Sequence, residues 1–238
     1  MTSMSNDMEE YLHWRSVRAT VLKYRDMSYF DIDRRRRRLT KLIDNNPLYK
    51  TMLAPDIING KHLRSLEEAI DINQDFLDAL IDFHDDCGFA PSKPDSSSNS
   101  NDNSNNSDDD ININFASGQH RNHAILHSFY REWSEEGKDE RESCFDPIIQ
   151  ELASHFNPIG IPYQKRILVP GCGLARLPLE IVRLGLCCEG NEFSAYMCVG
   201  SNFVLNGIVD DERFTIYPWL DRGKYYYLYL NLNIFIII

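Results

Sequence analysis

Ile167 to Ser194 reads "ILVPGCGLARLPLEIVRLGLCCEGNEFS", and the fold class turns on how that stretch is parsed. Ile167-Leu168-Val169 is a short apolar run of the kind a parallel strand needs. Gly171-Cys172-Gly173 follows at once, then helical spacing from Leu174 to Leu184, then a second strand over Leu186 to Glu189. In an open parallel sheet the ligand crevice lies beyond the carboxyl ends of the strands, so a glycine loop after the first strand stands where a ligand would bind. Glycine there supplies positive φ for a tight turn and lets the backbone approach a ligand with no Cβ in the way. Gly171 and Gly173 are the candidate loop residues.

The loop is not a complete dinucleotide fingerprint. Arg176 occupies the place of the third glycine in G-x-G-x-x-G, and its bulk argues against the close strand-to-helix packing that seats a pyrophosphate on a helix N-terminus. Glu192, 19 positions after Gly173, is suited to accept hydrogen bonds from both hydroxyls of an unphosphorylated ribose, a need shared by NAD and S-adenosyl-L-methionine. The missing glycine and Pro170 before the loop lean toward adenosylmethionine. Spacing alone leaves two alternatives open: a nicotinamide cofactor, and a plain glycine turn beside a surface carboxylate. The alternation continues with a second helix over Ser194 to Asn206 and a third short strand over Phe214 to Tyr217, the first half of a parallel α/β sheet.

Upstream the rhythm is helical. Tyr11, Trp14, Val17, Val21, Leu22 and Tyr24 recur at three-and-four spacing, as do Leu63, Leu66, Ala69, Ile70, Phe76, Leu77, Leu80 and Ile81. Arg34 to Arg38 is an unbroken run of five arginines, read as a solvated helix segment in preference to a polyanion patch or nuclear signal, because five neighbours on a helix point in all directions. Ala90 to Asn114 is rich in Ser, Asn and Asp and cannot bury enough apolar surface to offset its ordering entropy, so it reads as a disordered insertion. Helical patterning resumes near Gln119, with Gly137 as a break between two helices. His120, His123 and His127 share roughly one face of the first; with no carboxylate or cysteine there to complete a ligand set, they read as packing or surface histidines.

Composition bounds the function. The 238 residues, 42% hydrophobic with 11% aromatic, support a packed core. A net charge of -11 disfavours the phosphate-neutralising surface that nucleic-acid binding needs. The six cysteines form no C-x-x-C pair and follow a polar, acidic N-terminus, which points to reduced thiols in cytosol or nucleus. Vicinal Cys187-Cys188 reads as two small apolar residues on a buried strand.

The strings "REWSEEG" (Arg131 to Gly137), "VPGCGLARL" (Val169 to Leu177), "GNEFS" (Gly190 to Ser194), "SNFVLN" (Ser201 to Asn206) and "YPW" (Tyr217 to Trp219), in that order, resemble the carnosine N-methyltransferase family. The resemblance is firm from about Gln119 to Trp219. It implies a Rossmann-like, seven-strand adenosylmethionine-dependent methyltransferase with a helical N-terminal cap, which methylates an imidazole nitrogen of the dipeptide carnosine to give anserine. Carnosine would be the small-molecule partner, with neither nucleic acid nor membrane involved; a homodimer is left open. Gly171 and Gly173 would lie in the cofactor loop, Glu192 would take the ribose, and Arg131 would reach the methionine carboxylate from the cap helix with its fixed charge. Three positions depart from the family pattern: Ser128 stands where a cofactor-contacting Gln is expected, Cys172 where Ala is common and Ala175 where Gly is usual. The implied organisation is a helical cap over 1–89, the insertion 90–114, cap helices continuing over 115–160, a partial methyltransferase domain over 161–219 and an aberrant tail over 220–238.

The tail "LDRGKYYYLYLNLNIFIII" departs from the family, which continues into further strands carrying the substrate pocket. Tyr225 to Ile238 uses only Tyr, Leu, Asn, Ile and Phe, the residues of A- and T-rich codons, and reads as translated intron or frameshifted sequence. Fourteen residues fall short of the about 20 apolar ones a membrane helix wants; a buried terminal strand is the other reading. The expectation is a chain cut short, with the first strand left as an apolar edge, poor solubility and no turnover. A non-catalytic binding fragment of the same fold is the alternative function.

Overall fold

The computed structural model describes residues 2–46, 48–49, 60–92, 115–156, 166–208, 213–220 and 234–237. Described residues up to 123, together with 217–220, form one unit; 124–216 with 234–237 form a second.

The apolar spacing of the N-terminal region becomes three long helices, α1 (Thr2–Leu22), α2 (Tyr24–Asn45) and α3 (Lys61–Asp86). Trp14, Val17 and Val21 of α1 are buried, as are Leu66, Ala69, Ile70, Phe76, Leu77, Leu80 and Ile81 of α3, so each periodic stripe is a core face. Asn73 interrupts the α3 stripe and is fully buried. Its Nδ2 donates to Tyr24 Oη at 2.9 Å and to the Tyr217 carbonyl at 3.0 Å, while its Oδ1 accepts the Tyr217 N–H at 2.7 Å. A buried amide so completely partnered costs little to desolvate.

The arginine run lies on α2 and is largely exposed. Arg34 and Arg35 pair with Asp31, and Arg36 with Asp33 and Glu67. Charge on Arg34, Arg35 and Arg36 is thus answered from the same helix and from α3. Of the expected insertion, residues 93–114 lie outside the described residues.

Helices α4 (Phe115–Trp133) and α5 (Lys138–Phe156) meet at Gly137, as the sequence suggested. The reason is steric: a Cβ on Gly137 would lie 2.1 Å from the Tyr130 carbonyl oxygen. Ser134 closes the turn, its hydroxyl donating to Tyr130 O at 2.6 Å and accepting the Gly137 N–H at 3.0 Å.

Strands β1 (Arg166–Pro170) and β2 (Cys187–Asn191) pair in parallel, with Leu168 opposite Glu189, and helix α6 (Arg176–Arg183) makes the crossover. Helix α7 (Ala195–Asn202) runs on into a π-helical turn, Phe203–Gly207. Two features differ from the sequence reading. Strand β3 (Arg213–Ile216) does not extend the parallel sheet; it pairs antiparallel with β4 (Ile234–Ile237), drawn from the tail, with Phe214 opposite Ile236. The run of β-branched and aromatic residues at 234–237 suits that ladder. Cys187 is exposed and Cys188 half-buried rather than enclosed: among the described residues the parallel sheet has two strands, too few to bury both faces as a wider parallel sheet does. The α/β class holds, with helix predominant. Among the described residues no helix is long and apolar enough to cross a membrane.

Candidate cofactor site

Beyond Pro170 the chain turns sharply through three left-handed residues: Gly171 at φ +64°, Gly173 at +58° and Ala175 at +64°. The Cys172 N–H reaches back to the Asn191 carbonyl at 3.0 Å, which carries the β1–β2 pairing one bond into the loop. A Cβ on Gly171 would meet nothing within 4 Å, so the outer surface of the turn is open. Gly173 is hemmed in: its Cβ would lie 3.0 Å from Glu132 Oε1.

Glu192 leaves β2 directly toward this loop. Its Oε2 accepts the Gly173 N–H at 2.8 Å and its Oε1 accepts the Ser194 N–H at 2.7 Å. Both bonds are to backbone, so the carboxylate position is set by the fold and not by another side chain's rotamer. Each oxygen retains a further lone pair for an outside donor. Phe193 beside it is 99% exposed.

Arg131 sits near the end of α4 with its side chain 43% exposed, and its Nη2 is 2.7 Å from Glu132 Oε1. Glu132 is only 2% exposed, and its Oε2 accepts the Leu174 N–H at 3.1 Å. The four residues singled out from sequence therefore form a connected set: Gly171 and Gly173 in one turn, Glu192 bonded to Gly173, and Arg131 joined to the loop through Glu132. Glu132 itself was not among them. A signal was available, since Ile125, Leu126, Phe129 and Trp133 define the apolar face of α4 and position 132 falls on it seven residues after Ile125.

Burial raises the Glu132 carboxyl above the usual carboxylate range, with Arg131 and the Leu174 amide pulling it partly back. Burial likewise pushes the Cys172 and Cys198 thiols up, and the negative charge of Glu192 adds to both. Near the loop these are protonated thiols, poor nucleophiles and inert neighbours to an electrophile.

Arg176, whose bulk looked incompatible with tight packing, turns aside. Its guanidinium lies 5.0 Å from the Trp133 ring centroid and its Nε is 2.6 Å from Glu180 Oε1. Trp133 is in turn fixed by donating to the Leu174 carbonyl at 3.1 Å. Helix α7 closes on the same region through Gly200, where a Cβ would fall 2.6 Å from Leu174 Cδ2 and 3.2 Å from Phe129 Cε2. Ser128 is buried on α4. His123 is buried too, its ring edge-on to Tyr24 at 6.0 Å, whereas His120 is exposed and His127 half-buried.

This segment has named relatives. Residues 109–225 match the family model described as carnosine N-methyltransferase. The mouse protein of that name is 44% identical over 100 residues, 42% of this chain and 25% of the mouse protein. The Drosophila melanogaster protein "Carnosine N-methyltransferase unmet" is 44% identical over 93 residues, 39% of this chain and 20% of its own length. The Schizosaccharomyces pombe carnosine N-methyltransferase is 41% identical over 98 residues, 41% of this chain and 26% of its own. The chain thus spans about a quarter of the length of the curated relatives it matches.

Proposed function

We propose that this chain, whose residues 109–225 match the carnosine N-methyltransferase family, carries the S-adenosylmethionine-binding part of a methyltransferase acting on an imidazole nitrogen. The substrate class is carnosine, with anserine as product, or a related histidine-containing peptide. The observation that carries the reading is the clamp on Glu192: two backbone amides aim a carboxylate beside an open, left-handed Gly171 turn.

The donor groups fit the proposed cofactor's polar ends. Glu192 would accept the two ribose hydroxyls on its free lone pairs, and rejecting a 2′-phosphate by charge would follow. Gly171 admits the ligand against bare backbone. Arg131 would hold the methionine carboxylate, for which a half-exposed guanidinium fork is well matched. Bound adenosylmethionine supplies an electrophilic methyl carbon on sulfur, which a neutral imidazole nitrogen displaces in line. An imidazole with an ordinary pKa of about 6.5 is mostly neutral at physiological pH, so no strong general base is required and positioning supplies most of the rate. Protonated Cys172 and Cys198 do not compete for the methyl group.

The test is direct binding of S-adenosylhomocysteine to the 238-residue chain by calorimetry, with methyl transfer to carnosine followed using tritiated adenosylmethionine. Binding that weakens by about tenfold or more in Glu192→Ala, as loss of a charged hydrogen-bonding partner should cause, supports the reading. Binding unchanged by that substitution, or preference for NAD, overturns it.

A further inference from the structure

We propose that Glu132 is a positioning residue for the amino-acid end of the cofactor: one buried carboxylate joins the Arg131 guanidinium to the glycine loop and sets the place of both. The inference rests on the adenosylmethionine reading above and adds to it a residue that would touch no ligand atom.

Three observations carry it. The two oxygens of Glu132 are divided between two tasks, Oε1 facing Arg131 Nη2 at 2.7 Å and Oε2 accepting the Leu174 N–H at 3.1 Å. Gly173 packs so closely on the same carboxylate that a single added methyl would sit 3.0 Å from Oε1, so the loop is seated on Glu132. Glu132 is 2% exposed, enclosed on a helix face with buried Ile125, Ser128 and Phe129, where a leucine would bury without desolvating a charge. A buried carboxylate where an apolar side chain would cost less to enclose points to a role other than stability.

The physical consequence is preorganisation. An unpaired arginine at the end of a helix samples many rotamers and loses that freedom on gripping a carboxylate. Held by Glu132, Arg131 has surrendered much of it before ligand arrives, and the loop amides are placed by the same group. Burial also raises the Glu132 carboxyl, consistent with a site that gives up stability for placement.

The experiment compares two probes on the full chain: S-adenosylhomocysteine, which has the amino-acid tail, and 5′-methylthioadenosine, which lacks it. Glu132→Gln keeps an acceptor for the Leu174 N–H while removing the charge that holds Arg131. Expected is a loss of about tenfold in affinity for S-adenosylhomocysteine, the scale of one charge-assisted hydrogen bond, with methylthioadenosine changed less than about twofold. In an Arg131→Ala background the same substitution should add nothing further for either probe, because the two residues act in series. Equal weakening of both probes, or of neither, overturns the proposal, as does additivity with Arg131→Ala. Should Glu132→Ala fail to fold, Glu132→Gln with a melting curve near the parent's still decides it. A parent chain that binds neither probe overturns the adenosylmethionine reading itself, a result distinct from loss of selectivity in the variant.

Discussion

The Gly173 amide donates to Glu192 Oε2 at 2.8 Å, so the second glycine of the loop and the acid at the end of the next strand share one hydrogen bond. Glu192 is thus both a prospective ligand group and a structural clamp on the loop that would hold the same ligand. Glu192→Gln separates these roles poorly, because its amide must point a donor at either the Gly173 or the Ser194 N–H. A destabilisation of about 1–2 kcal/mol is expected, together with weakened S-adenosylhomocysteine binding. Urea melts matching the parent's within a few tenths would contradict the clamp.

Ala175 holds φ +64° without being glycine. A left-handed alanine costs roughly 1–2 kcal/mol, part of which glycine returns through its looser unfolded chain. Ala175→Gly should therefore raise stability by about 0.5–1 kcal/mol, whereas Ala175→Val should lower it by more. The measurement is the shift in denaturation midpoint at constant slope.

Gly137 and Gly200 both face crowding, yet their neighbours differ in kind. At Gly137 the obstacle is the Tyr130 backbone carbonyl, 2.1 Å from where an added methyl would sit; at Gly200 it is the end of the Leu174 side chain at 2.6 Å. Backbone cannot rotate away and a leucine methyl can. Gly200→Ala is expected to cost about 1–3 kcal/mol and leave a folded protein, while Gly137→Ala should cost more and lower the soluble yield. Equal melts for the two would show this distinction to be misplaced.

The Glu132 carboxyl sits above its ordinary value of 4.5 chiefly through burial. The folded protein keeps that proton at pH values where the unfolded chain has released it, so the stability associated with this group falls as pH rises from the unfolded value through the folded one. Glu132→Gln removes the fall. Relative to the parent, the variant should gain stability as pH rises above about 4.5; a difference moving the other way would contradict the assigned direction.

Alkylation should sort the six cysteines. Cys87, Cys144 and Cys187 are exposed, whereas half-buried Cys172 and Cys188, and Cys198, whose residue is exposed, have thiols raised chiefly by desolvation. At near-neutral pH iodoacetamide should label the first three well before the second three, read by mass spectrometry of peptides after timed quenching.

Much of the second unit was legible because local chemistry decides it. Ile167-Leu168-Val169, the glycine turn and Glu192 lie within one continuous stretch, and the structure places strand, turn, helix and strand there almost as the spacing suggested. The break at Gly137 was readable for the same reason. The partner of β3 was not, because antiparallel pairing with Ile234–Ile237 depends on a contact distant in sequence and leaves no periodic trace. Exposure of Cys187 is equally silent, since "CC" beside leucines looks apolar whether or not anything covers it. Glu132 looks like one acid in an acidic string, and only the burial of Ile125 and Phe129 around the helix reveals that its face is enclosed.

Asn73 bonds to both backbone groups of Tyr217, across 144 positions of chain. The entropy of closing such a span grows only with the logarithm of its length, so distance adds little to its equilibrium cost. Time is another matter. Local contacts within α1, α2 and α3 form on the timescale of neighbouring residues meeting, whereas this amide is satisfied only when Tyr217 arrives from far downstream. Until then a fully buried amide waits inside a helical core with Tyr24 alone as partner, and on a ribosome it waits through the synthesis of nearly everything between residues 73 and 217.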